Sequence, residues 1–215
     1  MPPVSTDASR YDYTAFDLVV MAASVGGLTA LSTVLAGVPA DFPAAIALVQ
    51  HLSPTHQSHL HQILGRATQL PVVRAESGTA LTAGRIYVAP PDRHFLIQPN
   101  RTALLTLGPP IRFSRPAADP LFVSAASTYG ARTLGVVLTG ASSDGAAGVQ
   151  AIKWSGGMVL AQDRTTSSAY GMPGAAVATG CVDLTLPLAA IAPAIIALTQ
   201  ARGAADFFRV PVQAA

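Results

Sequence analysis

Residues 18–35 read LVVMAASVGGLTALSTVL, and the reading of the fold turns on them. Residues 18–22 are an unbroken apolar run, the pattern of a strand buried on both faces of a parallel sheet. Gly26-Gly27 interrupts the run. Leu28, Leu31, Val34 and Leu35 then recur at helical spacing. Strand, tight turn and helix in that order form the repeating unit of an α/β domain.

The same rhythm extends outward. Residues 45–49 read as a second strand and 56–67 as a helix with Leu60 and Leu64 on one face. Residues 85–89 read as a strand ended by Pro90-Pro91. Residues 95–97 and 103–107 flank Pro99-Asn100-Arg101 as an antiparallel hairpin. A helix is expected over 120–129 with Asp119 as its N-cap. A strand over 133–138 follows, then a helix over 145–154 closed by Gly156-Gly157. Residues 158–161 (strand), 175–179 (short helix), 182–184 (strand) and 188–201 (helix) complete the chain. The expected fold class is α/β: a doubly wound, mainly parallel sheet with helices on both faces and a small antiparallel hairpin. Residues 17–202 read as one domain between an N-terminal tail, 1–16, and a C-terminal tail, 203–215.

Composition excludes several functions. Half of the 215 residues are hydrophobic and only 11% are charged, enough apolar mass for a large core and the reverse of a disordered chain. The net charge is +2 with no run of Lys or Arg, so no basic patch for nucleic acid is legible. The single cysteine, Cys181, reads as a small buried hydrophobe and allows no intrachain disulfide. Residues 1–16 lack a basic segment followed by an apolar one, so no signal peptide is expected. The longest apolar stretch, 184–198, contains Pro187 and Pro193 and falls short of the roughly 18 residues of a spanning helix. A soluble, cytoplasmic protein without membrane insertion is the expectation.

Ligands of open α/β sheets bind at the carboxyl ends of the strands. Three such ends carry reactive groups. Ser24 stands on the strand-to-helix turn Ala22-Ala23-Ser24-Val25-Gly26-Gly27, a setting like a nucleophile elbow although Ala22 replaces its first glycine. On its own, Ser24 also fits a helix N-cap or a phosphate loop. His51 follows the second strand, where a structural histidine is the plain alternative. Asp144 follows the strand over 133–138 and fits an ordinary N-cap as well. Together they supply a hydroxyl, a base to activate it and a carboxylate to fix the base.

Other polar residues carry weaker signals. His56, His59 and His61 lack carboxylate or cysteine neighbours, so a solvated helix face is preferred to a metal site. Asp92-Arg93-His94 follows a strand end and suits either a structural role or substrate contact. Tyr170-Gly171-Met172-Pro173 reads as a turn, a loop able to cap the site. No G-x-G-x-x-G follows the first strand, so neither a dinucleotide nor any other cofactor is expected.

With these segments in view, the sequence resembles the catalytic domain of CheB-type protein-glutamate methylesterases of bacterial chemotaxis. The likeness runs from about residue 18 to 198. It is carried by Ala23-Ser24 with Gly26-Gly27, Val49-Gln50-His51, Ala89-Pro90 with Asp92 and His94, and Arg115-Pro116 with Asp119. Leu138-Thr139-Gly140, Asp144-Gly145-Ala146, Gly156-Gly157, Ala161-Gln162-Asp163 and Tyr170-Gly171-Met172-Pro173 also match. The resemblance implies that Ser24, His51 and Asp144 form a triad. It implies hydrolysis of glutamyl methyl esters on the helical cytoplasmic region of chemoreceptors, and deamidation of glutamines there. The oxyanion and substrate loop is expected among Val25, Gly26, Gly27, Gly140, Ala141, His94 and Met172. Three positions depart from the usual pattern: Ala22, Val25 for threonine, and Ala141-Ser142 for methionine-glycine. Such proteins often carry a receiver domain; residues 1–16 are too few for one, so the reading is of a catalytic domain alone. The alternatives are a non-catalytic CheB-like module that binds receptors or a methyltransferase, and a serine esterase of small-molecule esters.

Overall fold

The computed structural model describes residues 15–52 and 58–200. Strand β1 (Leu18–Ala23) is buried at every residue. It pairs in parallel with β2 (Ala45–Gln50) on one side and β7 (Thr133–Val137) on the other. Its run is therefore apolar throughout, because both faces are covered. Val19, Met21 and Ala23 enter one core cluster with residues of α1 (Gly27–Ala36), α2 (Leu60–Gly65) and α6 (Leu188–Gln200). Leu18, Val20 and Ala22 enter the other, with α3 (Ala118–Tyr129), α4 (Ala146–Trp154) and α5 (Gly171–Ala178).

The seven-stranded sheet has the order β3-β4-β2-β1-β7-β8-β9, with every pairing parallel. Its remaining strands are β3 (Val72–Arg74), β4 (Ile86–Val88), β8 (Met158–Gln162) and β9 (Leu184–Leu186). From β1 the chain crosses to β2; from β7 it crosses to β8 on the opposite side. The carboxyl ends of β1 and β7 thus border the crevice where an α/β sheet receives a ligand. A separate antiparallel hairpin, β5 (His94–Ile97) with β6 (Ala103–Thr106), lays Phe95, Ile97 and Ala103 into the second cluster. The expected fold class holds, and Cys181 is buried as expected.

Four local expectations are corrected. Strand β3 is absent from the sequence reading; two half-buried valines and an exposed arginine at a sheet edge make no periodic signal. The last strand begins at Leu184, because Asp183 turns inward to accept the Val159 amide at 2.8 Å and to pair with Lys153. Asp119 lies in the first turn of α3, whose N-cap is Ala117. Tyr170-Gly171-Met172-Pro173 is no capping loop; it leads into α5. A Cβ on Gly171 would stand 2.3 Å from the Ala141 carbonyl oxygen, so that glycine marks close packing. Pro173 sits in the first turn, where no N–H is missed. His56 and the other residues of 53–57 lie outside the described residues, as do 1–14 and 201–215. None of the described helices is long and apolar enough to cross a membrane.

Candidate active site

Ala23 and Gln50 are register partners, so Ser24 and His51 are the first residues beyond two paired strand ends. Neighbouring strands lie about 4.8 Å apart, which sets the two residues side by side. Backbone bonds fix both: the His51 amide donates to Ala23 O at 3.0 Å, and the Ser24 amide donates to Thr139 O at 2.9 Å. The turn closes when the Gly27 amide donates to Ser24 O at 2.9 Å. Gly26 has φ +76°, and a Cβ there would stand 2.5 Å from Ser168 Oγ. Glycine alone meets both demands. The N-cap of α1 is Gly26, so Ser24 is not the cap.

Asp144 is fully buried. Its Oδ2 lies 2.7 Å from His51 Nε2 and accepts the Ala118 amide at 2.5 Å, while Oδ1 accepts the Asp119 amide at 3.1 Å. Those amides are the first turn of α3, where unpaired N–H groups and the helix dipole favour an anion. Burial pushes the carboxyl up, but the bonds from His51, Ala118 and Asp119 outweigh it and hold Asp144 below the usual carboxylate range. Asp119 goes the other way. Burial raises it, the Asp144 charge raises it further, and the Gly148 amide, donating to Oδ1 at 2.8 Å, only partly offsets this.

A layer of amides and hydroxyls holds the turns. Gln50 Nε2 donates to Ser24 O at 2.7 Å. Thr139 Oγ1 donates to Val25 O at 2.9 Å and accepts the Ala169 amide at 2.9 Å. Gln162 Oε1 accepts the Thr139 amide at 2.9 Å. No role was foreseen for these three residues. Their signal was position, since each lies at or just beyond the carboxyl end of a sheet strand.

The expected oxyanion and substrate residues divide. The Gly27 amide is occupied by Ser24 O, and the Gly140 amide by Ala169 O at 2.9 Å. Among the described residues, the amides of Val25, Gly26 and Ala141 donate to no other backbone oxygen. Gly140 serves by its size: a Cβ there would come within 2.9 Å of Ser24 Cβ and 2.2 Å of Met172 Sδ. Met172 is buried behind Gly140, with its amide donating to Gly140 O at 2.8 Å. His94 is buried in β5 with Nε2 3.0 Å from Pro109 O, a structural contact. His59 is the N-cap of α2 and His61 its second residue, one strand crossover away from the Ser24 turn.

Known proteins are similar to this chain in sequence and fold. The family model described as CheB methylesterase matches residues 19–195. The chain is 44% identical over 194 residues to a protein-glutamate methylesterase/protein-glutamine glutaminase of Anaeromyxobacter dehalogenans, covering 90% of this chain and 57% of that one. It is 40% identical over 181 residues to the protein-glutamate methylesterase FrzG of Myxococcus xanthus, covering 84% of this chain and 54% of that one. The chain thus spans little more than half of either relative. The crystal structure of the Thermotoga maritima CheB methylesterase catalytic domain is similar at a TM-score of 0.82 and 34% identity, covering 85% of this chain and 98% of that one.

Proposed function

Because the chain belongs to the CheB methylesterase family, we propose that it hydrolyses γ-glutamyl methyl esters on a protein substrate, releasing methanol, and acts through Ser24, His51 and Asp144. The observation that carries this reading is the buried Asp144 carboxylate bonded to His51 at the strand end beside Ser24. A carboxylate only accepts hydrogen bonds, so His51 Nε2 carries the proton it shares with Asp144. Nδ1 is then left bare as the base. Ser24 Oγ attacks the ester carbonyl and its proton passes to Nδ1. The amide of Val25, the residue after the nucleophile, with that of Gly26 or Ala141, donates to the oxyanion. As the C–O bond breaks, His51 gives the proton to the departing methoxide. Water then attacks the acyl-enzyme, yielding glutamate and restoring the Ser24 hydroxyl. A glutamine side chain enters the same path with ammonia as leaving group.

The proposed substrates are the methylated helical cytoplasmic regions of chemoreceptors, met in the cytoplasm, and residues 17–202 form the catalytic unit. Methanol released from a methylated receptor fragment tests this. Wild type is expected to release it, and Ser24→Ala to lose on the order of 10⁴-fold or more of that rate. A Ser24→Ala protein with full activity, or a wild type that cleaves aryl esters and not the fragment, would overturn the reading.

A further inference from the structure

Residues 107–117, between β6 and α3, belong to neither sheet, yet they are anchored at both ends. His94 Nε2 lies 3.0 Å from Pro109 O. Arg115 donates to Asp92 Oδ1 from Nε at 2.9 Å and from Nη2 at 2.5 Å, and from Nη1 to Gly108 O at 2.9 Å. The Asp92 amide returns a bond to Arg115 O at 3.2 Å. At the tip, Ile111 and Ser114 exchange both backbone bonds, at 3.0 and 2.9 Å. They close a two-residue turn on Arg112 and Phe113.

That turn is costly to the fold. Its two central residues have φ +47° and +65°. This is the primed hairpin geometry that sequences normally fill with Asn-Gly. A bulky side chain at positive φ is strained, and such strain gathers at functional sites. Phe113 is also fully exposed, so its ring recovers nothing by burial. A strained, solvated Arg-Phe pair on an anchored platform contributes little within the chain, whereas aromatic and arginine side chains dominate protein interfaces.

Its position is informative. Phe113 precedes Ala118, whose amide holds Asp144, by five residues, hence within about 17 Å of it. Arg112 stands close enough to Asp119 to draw that carboxyl down. Beside the nucleophile, Val25 and Leu28 are exposed as well. On the proposed function, every turnover leaves a glutamate on the substrate, so its surface carries carboxylates next to esters. Arg112 is complementary to that charge.

We propose that the Arg112–Phe113 turn is a docking element for the protein substrate, an acidic amphipathic helical segment. Phe113 meets its apolar face, and Arg112 pairs with a carboxylate neighbouring the ester. This rests on the reading of the site as a protein-glutamate methylesterase.

Replacing the pair by Asn-Gly tests it, because that sequence favours the turn and removes both contacts. The double variant R112N/F113G is expected to melt no lower than wild type. Its KM for a methylated chemoreceptor cytoplasmic fragment should rise at least tenfold with kcat within twofold, and its KM should respond less to salt. An unchanged KM would overturn the proposal. The same substitutions in a Ser24→Ala background, with Kd for the fragment read by fluorescence anisotropy, separate docking from chemistry. A Kd at least tenfold weaker supports docking even if wild type releases no methanol, a result that would sink the methylesterase reading alone. An unchanged Kd overturns the docking role whatever the catalytic result.

Discussion

Asp144 has two tasks: its oxygens orient His51 and receive the amides that open α3. Asparagine has one oxygen for those three donors. In Asp144→Asn either the imidazole or a helix amide is left facing an NH₂ group. The expected losses are about 10⁴-fold in kcat, from the wrong histidine tautomer, and about 1–3 kcal/mol of stability, from the unpaired buried donor. Methanol release and urea unfolding read the two separately. The charge on Asp144 also ties stability to pH. Its folded pKa lies below the ordinary value of 3.8, so its contribution is present above that value and lost as pH falls through the folded pKa. Asp119 has the opposite sign. Its folded pKa is raised, so ionising it costs stability as pH rises from 3.8 through the folded value. Asp119→Asn keeps an acceptor for the Gly148 amide and removes the charge that Asp144 repels. It should melt higher than wild type at pH 7, with the gap closing as pH falls below the ordinary carboxylate range. A constant gap across pH 3 to 8 would contradict this account.

At the scale of elements, the site depends on where the first turn of α3 stands, and α4 sets that position. A Cβ on Gly148 would lie 2.4 Å from Phe122 Cβ, so α3 and α4 touch nearly backbone to backbone. Gly148→Ala forces them apart and should cost about 1–3 kcal/mol, the usual penalty of overpacking. Because the Ala118 amide moves with α3, kcat should fall as well, by more than a surface Gly→Ala such as at Gly78, where a Cβ meets nothing within 4 Å, though its φ of +85° carries strain of its own. Thermal melts beside methanol-release kinetics check both effects. This coupling also explains what sequence could show. The positions of Ser24, His51 and Asp144 were legible because buried parallel strands are unbroken apolar runs and these polar residues follow them. The N-terminus of α3 was misread because Asp119 looks like an N-cap, whereas its carboxylate accepts from Gly148, 29 residues away. The start of α5 was misread because Gly171 with Pro173 looks like a turn signal, whereas both Gly171 and Gly174 lie inside the helix. Their lack of a side chain answers to Ala141 and the Tyr170 ring, neighbours that only the folded chain supplies. Gln50, Thr139 and Gln162 hold the turns through bonds to backbone atoms, which leave no periodic trace.

Across the whole molecule, the residues proposed for catalysis gather where the winding of the sheet reverses, and the flank beyond β7 borders that crevice. Lys153 of α4 and Asp183, ahead of β9, form a buried ion pair on that flank. Asp183 Oδ2 also accepts the Val159 amide of β8 at 2.8 Å. Removing Asp183 leaves the Lys153 charge buried and the Val159 amide without that acceptor. Asp183→Ala should therefore cost about 3–5 kcal/mol, a large share of the roughly 5–15 kcal/mol that a domain possesses. Replacing both charges need not. K153M/D183N puts a flexible apolar side chain in place of the ammonium and keeps an oxygen for the Val159 amide. It should remain within about 1–2 kcal/mol of wild type, since the desolvation cost of the ions disappears with their attraction. Urea denaturation of the single and double variants decides between these outcomes. A double variant as unstable as Asp183→Ala would mean that the charge pair itself, and not the satisfied amide, secures the β8 flank of the crevice.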